Sequence, residues 1–459
     1  MNELIMEDRG SLETLSGTGN PNGRPSFLSN CTIALASQIG GTLLTIVLEV
    51  SYARLLGPAG RGILSLLMNT ISFAGLIGGL GGEIPIILWT ADRTRTRREF
   101  LPAILFWGLV GSLATSALWA VVFWIIHPAF LKGVTPRLAM LVLAAIPAYI
   151  FFGYFAAGLL GAERFGHYAK FLIGQKVLIL AGISILIFYH WMSAETALLT
   201  NLLATLLVLS SGLVLARKYI PKDWNLAASR PKFKQTLSLG TRGQVGNAAS
   251  FLNYRLDVFF VNKFLGPAQV GLYSVGVMVS ESLWQLPYAM ALALLPRTAR
   301  TLREDNAPFT CLVVRRVLAL ASAGGIILAV SCVWIVPRIF GSKFQESLPV
   351  IWWILPGTVA FASGKVMAAD LAARKKVGYN SVSAMLALAL TIALDMVLIP
   401  RMGINGAALT SSAAYLFNTA LLAVKLKGTL SVTWRSLFVS SPSDFSFLWQ
   451  AWRGAKESR

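Results

Sequence analysis

A few charged side chains in this sequence stand inside long apolar segments. Arg255 and Asp257 interrupt NYRLDVFFVNKFLGPAQVGLYSVG (253–276), Glu49 and Glu281 sit in comparable stretches, and Lys176 and Lys365 lie inside two more. In a membrane each such group costs at least about 2.5–3.5 kcal/mol on insertion scales, so each needs a partner or a task. Arg255 and Asp257 cannot serve each other on one helix, because two residues correspond to about 200° of rotation. Arg255 lies about 16 Å from the helix end at Gly266, at 1.5 Å per residue. If the segments flanking Pro267 form a hairpin, Glu281 sits at the depth of Arg255. The pair is then either structural or part of a ligand-binding or gating device. Asp257 falls on a polar stripe with Asn247, Ser250, Asn253 and Tyr254, and a similar stripe joins Gln38, Thr42, Thr45, Glu49 and Tyr52. Both stripes face protein or a watery cavity rather than lipid.

The elements that must hold these groups follow from composition. The chain has 459 residues, 55% hydrophobic and 13% charged, with a mean hydropathy of +0.65. Soluble proteins carry about 25% charged residues, so the bilayer is the expected solvent. Twelve apolar runs approach the length of a span: 28–55, 60–81, 101–126, 138–160, 168–189, 195–216, 238–265, 269–296, 312–336, 346–371, 378–399 and 404–426. The expected fold is therefore all-α and polytopic. The expected organisation is a polar tail (1–27), a six-helix bundle (28–216), a basic linker (217–237), a second six-helix bundle (238–426) and a basic tail (427–459). Residues 1–27 lack a signal-peptide pattern, so the first run is expected to act as an uncleaved anchor.

Most of the 40 Lys and Arg residues fall in alternate loops and in the tails. The positive-inside rule then places both termini in the cytoplasm of a multi-pass inner-membrane protein. It also accounts for the net charge of +20 without a nucleic-acid partner. Cys31, Cys311 and Cys332, like His127, His167 and His190, show no metal-ligating or disulfide spacing. No cofactor, metal or catalytic residue is expected.

The sequence repeats itself. LGPAGRGILSL (56–66) and LGPAQVGLYSV (265–275) share Leu, Gly, Pro, Ala, Gly and Ser at the same offsets. Each copy closes the first hairpin of a six-span half, which makes the halves parallel repeats. Gly57 and Gly266 suit a left-handed helix stop, and Pro58 and Pro267 suit the first turn of the next helix.

ARLLGPAGRGILSLL (53–67), GLGGEIPIILWTADR (79–93), YRLDVFFVNKFLGPAQVGLYSVG (254–276), LALLPRTAR (292–300) and LIPRMGINGAALTSSAAY (398–415) occur in this order. In them the chain resembles the oligosaccharide flippases of the polysaccharide-synthesis (Wzx-like) family. These belong to the multidrug/oligosaccharidyl-lipid/polysaccharide exporter superfamily, and the resemblance spans residues 28–426. It implies alternating-access transport of polyprenyl-diphosphate-linked sugars. The implied partners are the lipid-linked oligosaccharide, the bilayer, and polysaccharide polymerase and export proteins; the implied state is a monomer.

Under that resemblance, Arg255, Lys176, Lys365, Arg54 and Arg61 are candidates for neutralising a diphosphate, since a guanidinium fork matches phosphate oxygens. Glu49, Asp257 and Glu281 are candidates for proton or sodium coupling or gating. Gln38, Thr42, Thr45, Asn247, Asn253 and Tyr254 are candidate cavity-lining groups. Lys176 and Lys365 are also placed to snorkel towards helix ends. Arg54 and Arg61 flank the first turn, where solvation is expected, and Asp370 and Asp395 are expected to be interfacial. Two other readings stand beside this one. A cation-coupled multidrug or small-molecule antiporter of the same superfamily would have a less cationic cavity. A membrane enzyme acting on lipid-linked sugars would need a larger outer loop than HPAFLKGVTPR (127–137).

Overall fold

The chain, as a computed structural model, is described for residues 27–91, 97–216, 226–285, 307–441 and 444. The first tail before residue 27, the loop 217–225, the eighth run beyond Gln285 with LALLPRTAR, and most of the last tail lie outside the described residues. Helices follow one another in the order α1 (Phe27–Gly78), α2 (Glu83–Ala91), α3 (Arg97–Phe130), α4 (Pro136–Gly161), α5 (Phe165–Phe188), α6 (Ala194–Ala216), α7 (Leu226–Leu265) and α8 (Pro267–Glu281). After a 3₁₀ turn (Ser282–Trp284) come α9 (Ala307–Ile339), a second 3₁₀ turn (Ser342–Ser347), α10 (Leu348–Ala373), α11 (Val377–Met402), α12 (Ile404–Leu430) and the short α13 (Trp434–Phe438). No strand occurs among the described residues.

Helix α1 holds two spans. Its backbone leaves helical geometry at Gly57 (φ 64°, ψ −177°), and Pro58 begins the second helix. Gly266 repeats this (φ 87°, ψ 178°) ahead of Pro267. Positive φ with extended ψ is a region held almost only by glycine, which is why the repeated motif needs Gly at that offset. The second span then breaks at Gly79–Gly82 and resumes as α2, with Leu80 and Gly81 at positive φ. Within the break the Gly79 carbonyl accepts hydrogen bonds from the Gly82 amide and from the Tyr154 hydroxyl on α4, both at 2.7 Å, so a neighbouring helix helps to satisfy the interrupted backbone.

Nine helical stretches among the described residues are long and apolar enough to cross a membrane, α1 counting as one. Helix α7 is not among them because it carries the polar stripe and a basic N-terminal portion. Trp124, Phe188, Val214, Ile326 and Ile327 are the kind of large apolar side chains that point outward, as lipid-facing positions require. The protein is a multi-pass membrane protein, all-α over the described residues, built of repeated helical bundles.

The halves meet at the end of the bundle that carries both LGPA turns. Packing there is reciprocal. A Cβ on Gly62 would fall 1.8 Å from the Pro267 carbonyl oxygen, and one on Gly271 would fall 2.0 Å from the Pro58 carbonyl oxygen. Three residues further along each helix, Ser65 and Ser274 share a hydrogen bond at 2.8 Å. Gly62 and Gly271 occupy the same offset in the repeat, as do Ser65 and Ser274. Small residues permit this backbone-to-backbone approach of α1 and α8. Leu66, Leu67, Ile71, Val270 and Val275 on the same two helices are buried.

At the opposite end the last segment folds back onto α9. Arg315 makes paired hydrogen bonds to the Asp444 carboxylate (2.8 and 2.9 Å) and a third to the Ser436 carbonyl. These bonds hold the Asp444 carboxyl well below the usual carboxylate range.

Candidate functional site: two buried polar clusters

The second half gathers most of the intramembrane charge. Arg255 on α7 forms a two-point ion pair with Glu281 at the end of α8, at 2.9 and 2.7 Å. The Pro267 hairpin brings the two to one depth, as their spacing requires. The Arg255 side chain remains 30% exposed, so its outer face is open for a further contact. Lys365 on α10 does not snorkel to a helix end. Its ammonium stands over the Trp284 ring, 4.1 Å from the centroid, and within electrostatic range of Glu281 and Arg255. Tyr254 packs against Trp284, Phe361 and Tyr415 (centroids 5.6, 5.9 and 6.0 Å).

Lys176 belongs elsewhere. Its ammonium donates to the Thr45 hydroxyl on α1, close to Glu49. Glu49 in turn is paired with Arg61. The expectation that Arg61 is simply solvated is corrected: only 7% of its side chain is exposed, because it turns inward to Glu49. Arg54 is exposed but also engaged. It donates to the carbonyls of Arg338 and Ile339 at the end of α9, tying the first half to the second. The structure thus brings Arg255 and Lys365 together and assigns Lys176 and Arg61 to a first-half cluster with Glu49. Thr42 is half-buried beside them. The Gln38 side chain lies outside the described residues.

Asp257 is fully buried behind Arg255, on another face of α7. It accepts hydrogen bonds from the Val258 amide (2.7 Å), the Ser411 hydroxyl (2.9 Å) and the Tyr273 hydroxyl. Asn253, one turn away, accepts from Thr391 at 2.8 Å. The buried part of this stripe bonds to neighbouring helices, whereas Asn247 is exposed.

Asp395 completes the group and corrects a sequence expectation. It is fully buried, not interfacial. Helix α11 runs to Met402, so Asp395 lies about two turns inside its end. Neither of its carboxylate oxygens makes a full hydrogen bond among the described residues; the Thr410 hydroxyl lies near it as a weak donor, and the Asn253 amide nitrogen has no partner there. Asp395 thus adds a second buried carboxylate to the polar group around Asp257, and a buried carboxylate left without strong donors calls for a cation or a proton. The signal for Asp395 was its position in an otherwise apolar run, ALDMVLIP, four residues after Thr391. Asp370, by contrast, is at a helix end and paired with Arg374 at 2.7 Å. Among the described residues, no three His, Cys, Asp or Glu side chains form a metal-binding group.

The sequence profile of the polysaccharide biosynthesis protein family matches residues 27–302, more than half of the chain. The chain belongs to the polysaccharide biosynthesis protein family. Its solved structural neighbours agree in fold. The lipid II flippase MurJ, in an inward closed conformation, superposes with a TM-score of 0.69 at 14% identity, covering 92% of this chain and 96% of MurJ. An inward-facing multidrug resistance MATE family transporter of the MOP superfamily gives 0.68 at 14% identity, covering 87% and 98%. An outward-facing MATE transporter of that superfamily gives 0.61 at 12% identity, covering 88% and 96%. No curated protein matches the chain by sequence. The chain thus combines membership of the polysaccharide biosynthesis protein family with a fold similar to that of MurJ and the MATE transporters.

Proposed function

We propose that this protein moves polyprenyl-diphosphate-linked oligosaccharide across the inner membrane by alternating access, for surface or exopolysaccharide synthesis. The observation that carries this reading is the part-exposed Arg255 guanidinium, set deep in the bundle beside Lys365. A diphosphate crossing hydrocarbon needs such a cation, and Glu281 serves as its exchangeable partner between passages. Replacing the carboxylate by a diphosphate keeps the guanidinium paired throughout, so no bare charge is left in the low-dielectric interior. In this reading both termini are cytoplasmic, the LGPA turns face outward, and the seam at Gly62 and Gly271 closes the outer end. Residues 28–216 and 238–426 act as the two moving bundles. The buried Asp257–Asp395 group couples the movement to sodium or protons. Glu49, Arg61 and Lys176 form the facing polar surface of the first half.

The test follows lipid-linked oligosaccharide in cells depleted of the protein. The expected result is accumulation of the lipid-linked sugar on the cytoplasmic side, inaccessible to an externally added lectin. Full external exposure in depleted cells would overturn the reading.

A further inference from the structure

Trp284 stands at the junction between α8 and the Arg255–Glu281 pair, in the turn Ser282–Trp284. Its indole N–H donates to the Thr358 carbonyl at 3.1 Å, which fixes the ring plane. Tyr254, Phe361 and Tyr415 meet it tilted or edge-on, at 5.6, 5.6 and 5.4 Å between centroids. Phe361 and Tyr415 are themselves stacked at 5.4 Å. The result is one rigid indole face framed by aromatic rings and covered by Lys365. Phe361 and Tyr415 are buried, whereas Trp284 and Lys365 are half-exposed.

The cover is the informative part. Among the described residues Lys365 forms no ion pair within 4 Å, although Glu281 is nearby; its close contacts are ring faces at 4.1, 5.3 and 5.4 Å. A cation–π contact is worth about 0.5–2 kcal/mol, weak enough to exchange. An aromatic face that holds a cation also suits the positively polarised C–H face of a pyranose ring, since both meet the negative side of the π system. Around the rim stand the groups a sugar and its diphosphate require. Glu281 accepts hydroxyl donors, while Arg255 and Lys365 pair with phosphate oxygens.

Resting on the flippase reading above, we propose that Trp284 is the stacking platform for the sugar attached to the diphosphate. Lys365 leaves the indole when the sugar arrives and turns to the diphosphate. Sugar recognition and charge neutralisation are then one exchange: the ring takes the place of the ammonium, and the ammonium is released to the anion.

Farnesyl diphosphate, and farnesyl diphosphate bearing glucose, galactose or N-acetylglucosamine, are the probes, titrated one at a time against the purified full-length protein in nanodiscs. The wild type is expected to bind at least one sugar-bearing probe about tenfold tighter than farnesyl diphosphate, equivalent to 1.4 kcal/mol. Trp284→Leu should erase that difference while keeping the affinity for farnesyl diphosphate, and Trp284→Phe should keep most of it. Lys365→Met should weaken both classes of probe. Retained sugar preference in Trp284→Leu, or no preference for any sugar-bearing probe in the wild type, would overturn the platform and leave the flippase reading intact. Failure of every probe to bind the wild type would overturn both. Retention of farnesyl diphosphate binding by the two Trp284 variants shows that they are folded.

Discussion

Leucine in place of Gly62 or Gly271 is expected to lower transport by about 100-fold with little loss of membrane insertion. A single added carbon already falls 1.8 Å from the Pro267 carbonyl oxygen, or 2.0 Å from that of Pro58. The obstructing atoms are backbone, so no side chain can swing away, and the helices themselves must part. Overpacking costs about 1–3 kcal/mol where a neighbour can give, and more where it cannot. At about 1.4 kcal/mol per tenfold, a cost near 3 kcal/mol lowers the closed-to-open ratio about 100-fold. The effect targets one conformation, because only the closed seam demands contact between these glycines and the opposite turn. Gly75→Ala is the control, since a Cβ there meets nothing within 4 Å. The seam itself can be read by a cysteine pair at Ser65 and Ser274, whose hydroxyls touch at 2.8 Å. Oxidative cross-linking should be efficient in the otherwise unaltered chain and strongly reduced when Gly62→Leu is added. Full transport by Gly62→Leu would mean that the seam does not have to close.

Asparagine at Asp395 is expected to uncouple transport from its ion gradient and to slow it at least about tenfold, a loss of roughly 1.4 kcal/mol in the driving interaction. The reason lies in the unequal partnering of two buried carboxylates. Asp257 has three hydrogen-bond donors aimed at it, while among the described residues Asp395 has only the Thr410 hydroxyl nearby, outside full hydrogen-bond geometry. Asp395 is therefore the member of the pair that a cation or proton would neutralise. A bound ion stabilises the folded protein by RT ln(1 + [L]/Kd), about 2.7 kcal/mol at a hundredfold excess over Kd. The wild type should accordingly unfold at a higher temperature in sodium than in potassium if sodium is the ion. If the proton is the ion, the unfolding temperature should follow pH and ignore sodium. Asp395→Asn should abolish either response. A variant that keeps both its ion response and gradient-driven transport would remove Asp395 from the coupling mechanism.

Much of the architecture was legible in the sequence because the bilayer imposes long apolar runs and because glycine and proline mark where they stop. The LGPA turns illustrate this: Gly57 and Gly266 adopt the positive φ that the motif called for. The Arg255–Glu281 pair was legible for a related reason, since counting residues along a hairpin fixes depth. What residue counting leaves open is azimuth, the direction in which a side chain leaves its helix, and contact between separate helices. Arg61 looked like a solvated neighbour of the first turn but points inward to Glu49. Lys365 looked placed to snorkel, yet an aromatic cluster drawn from α7, α10, α12 and the turn after α8 holds its ammonium. Asp395 was misplaced because α11 continues past the end of its apolar run, through Pro400 to Met402. The reciprocal seam could not be read either. The repeat indicated two similar halves, but not that Gly62 of one would rest on the turn of the other.

Transport of a lipid-linked sugar between leaflets, with Arg255 as the diphosphate partner, is the function proposed for this protein. Its most direct measurement uses proteoliposomes containing polyprenyl-diphosphate-linked oligosaccharide extracted from depleted cells, in which a membrane-impermeant glycosidase reports the share of substrate in the outer leaflet over time. The expected result is rapid, near-complete exposure with wild-type protein, at least about tenfold slower exposure with Arg255→Ala, and partial recovery with Arg255→Lys. Exposure no faster with the wild type than in protein-free liposomes, or equally fast with Arg255→Ala, would contradict it.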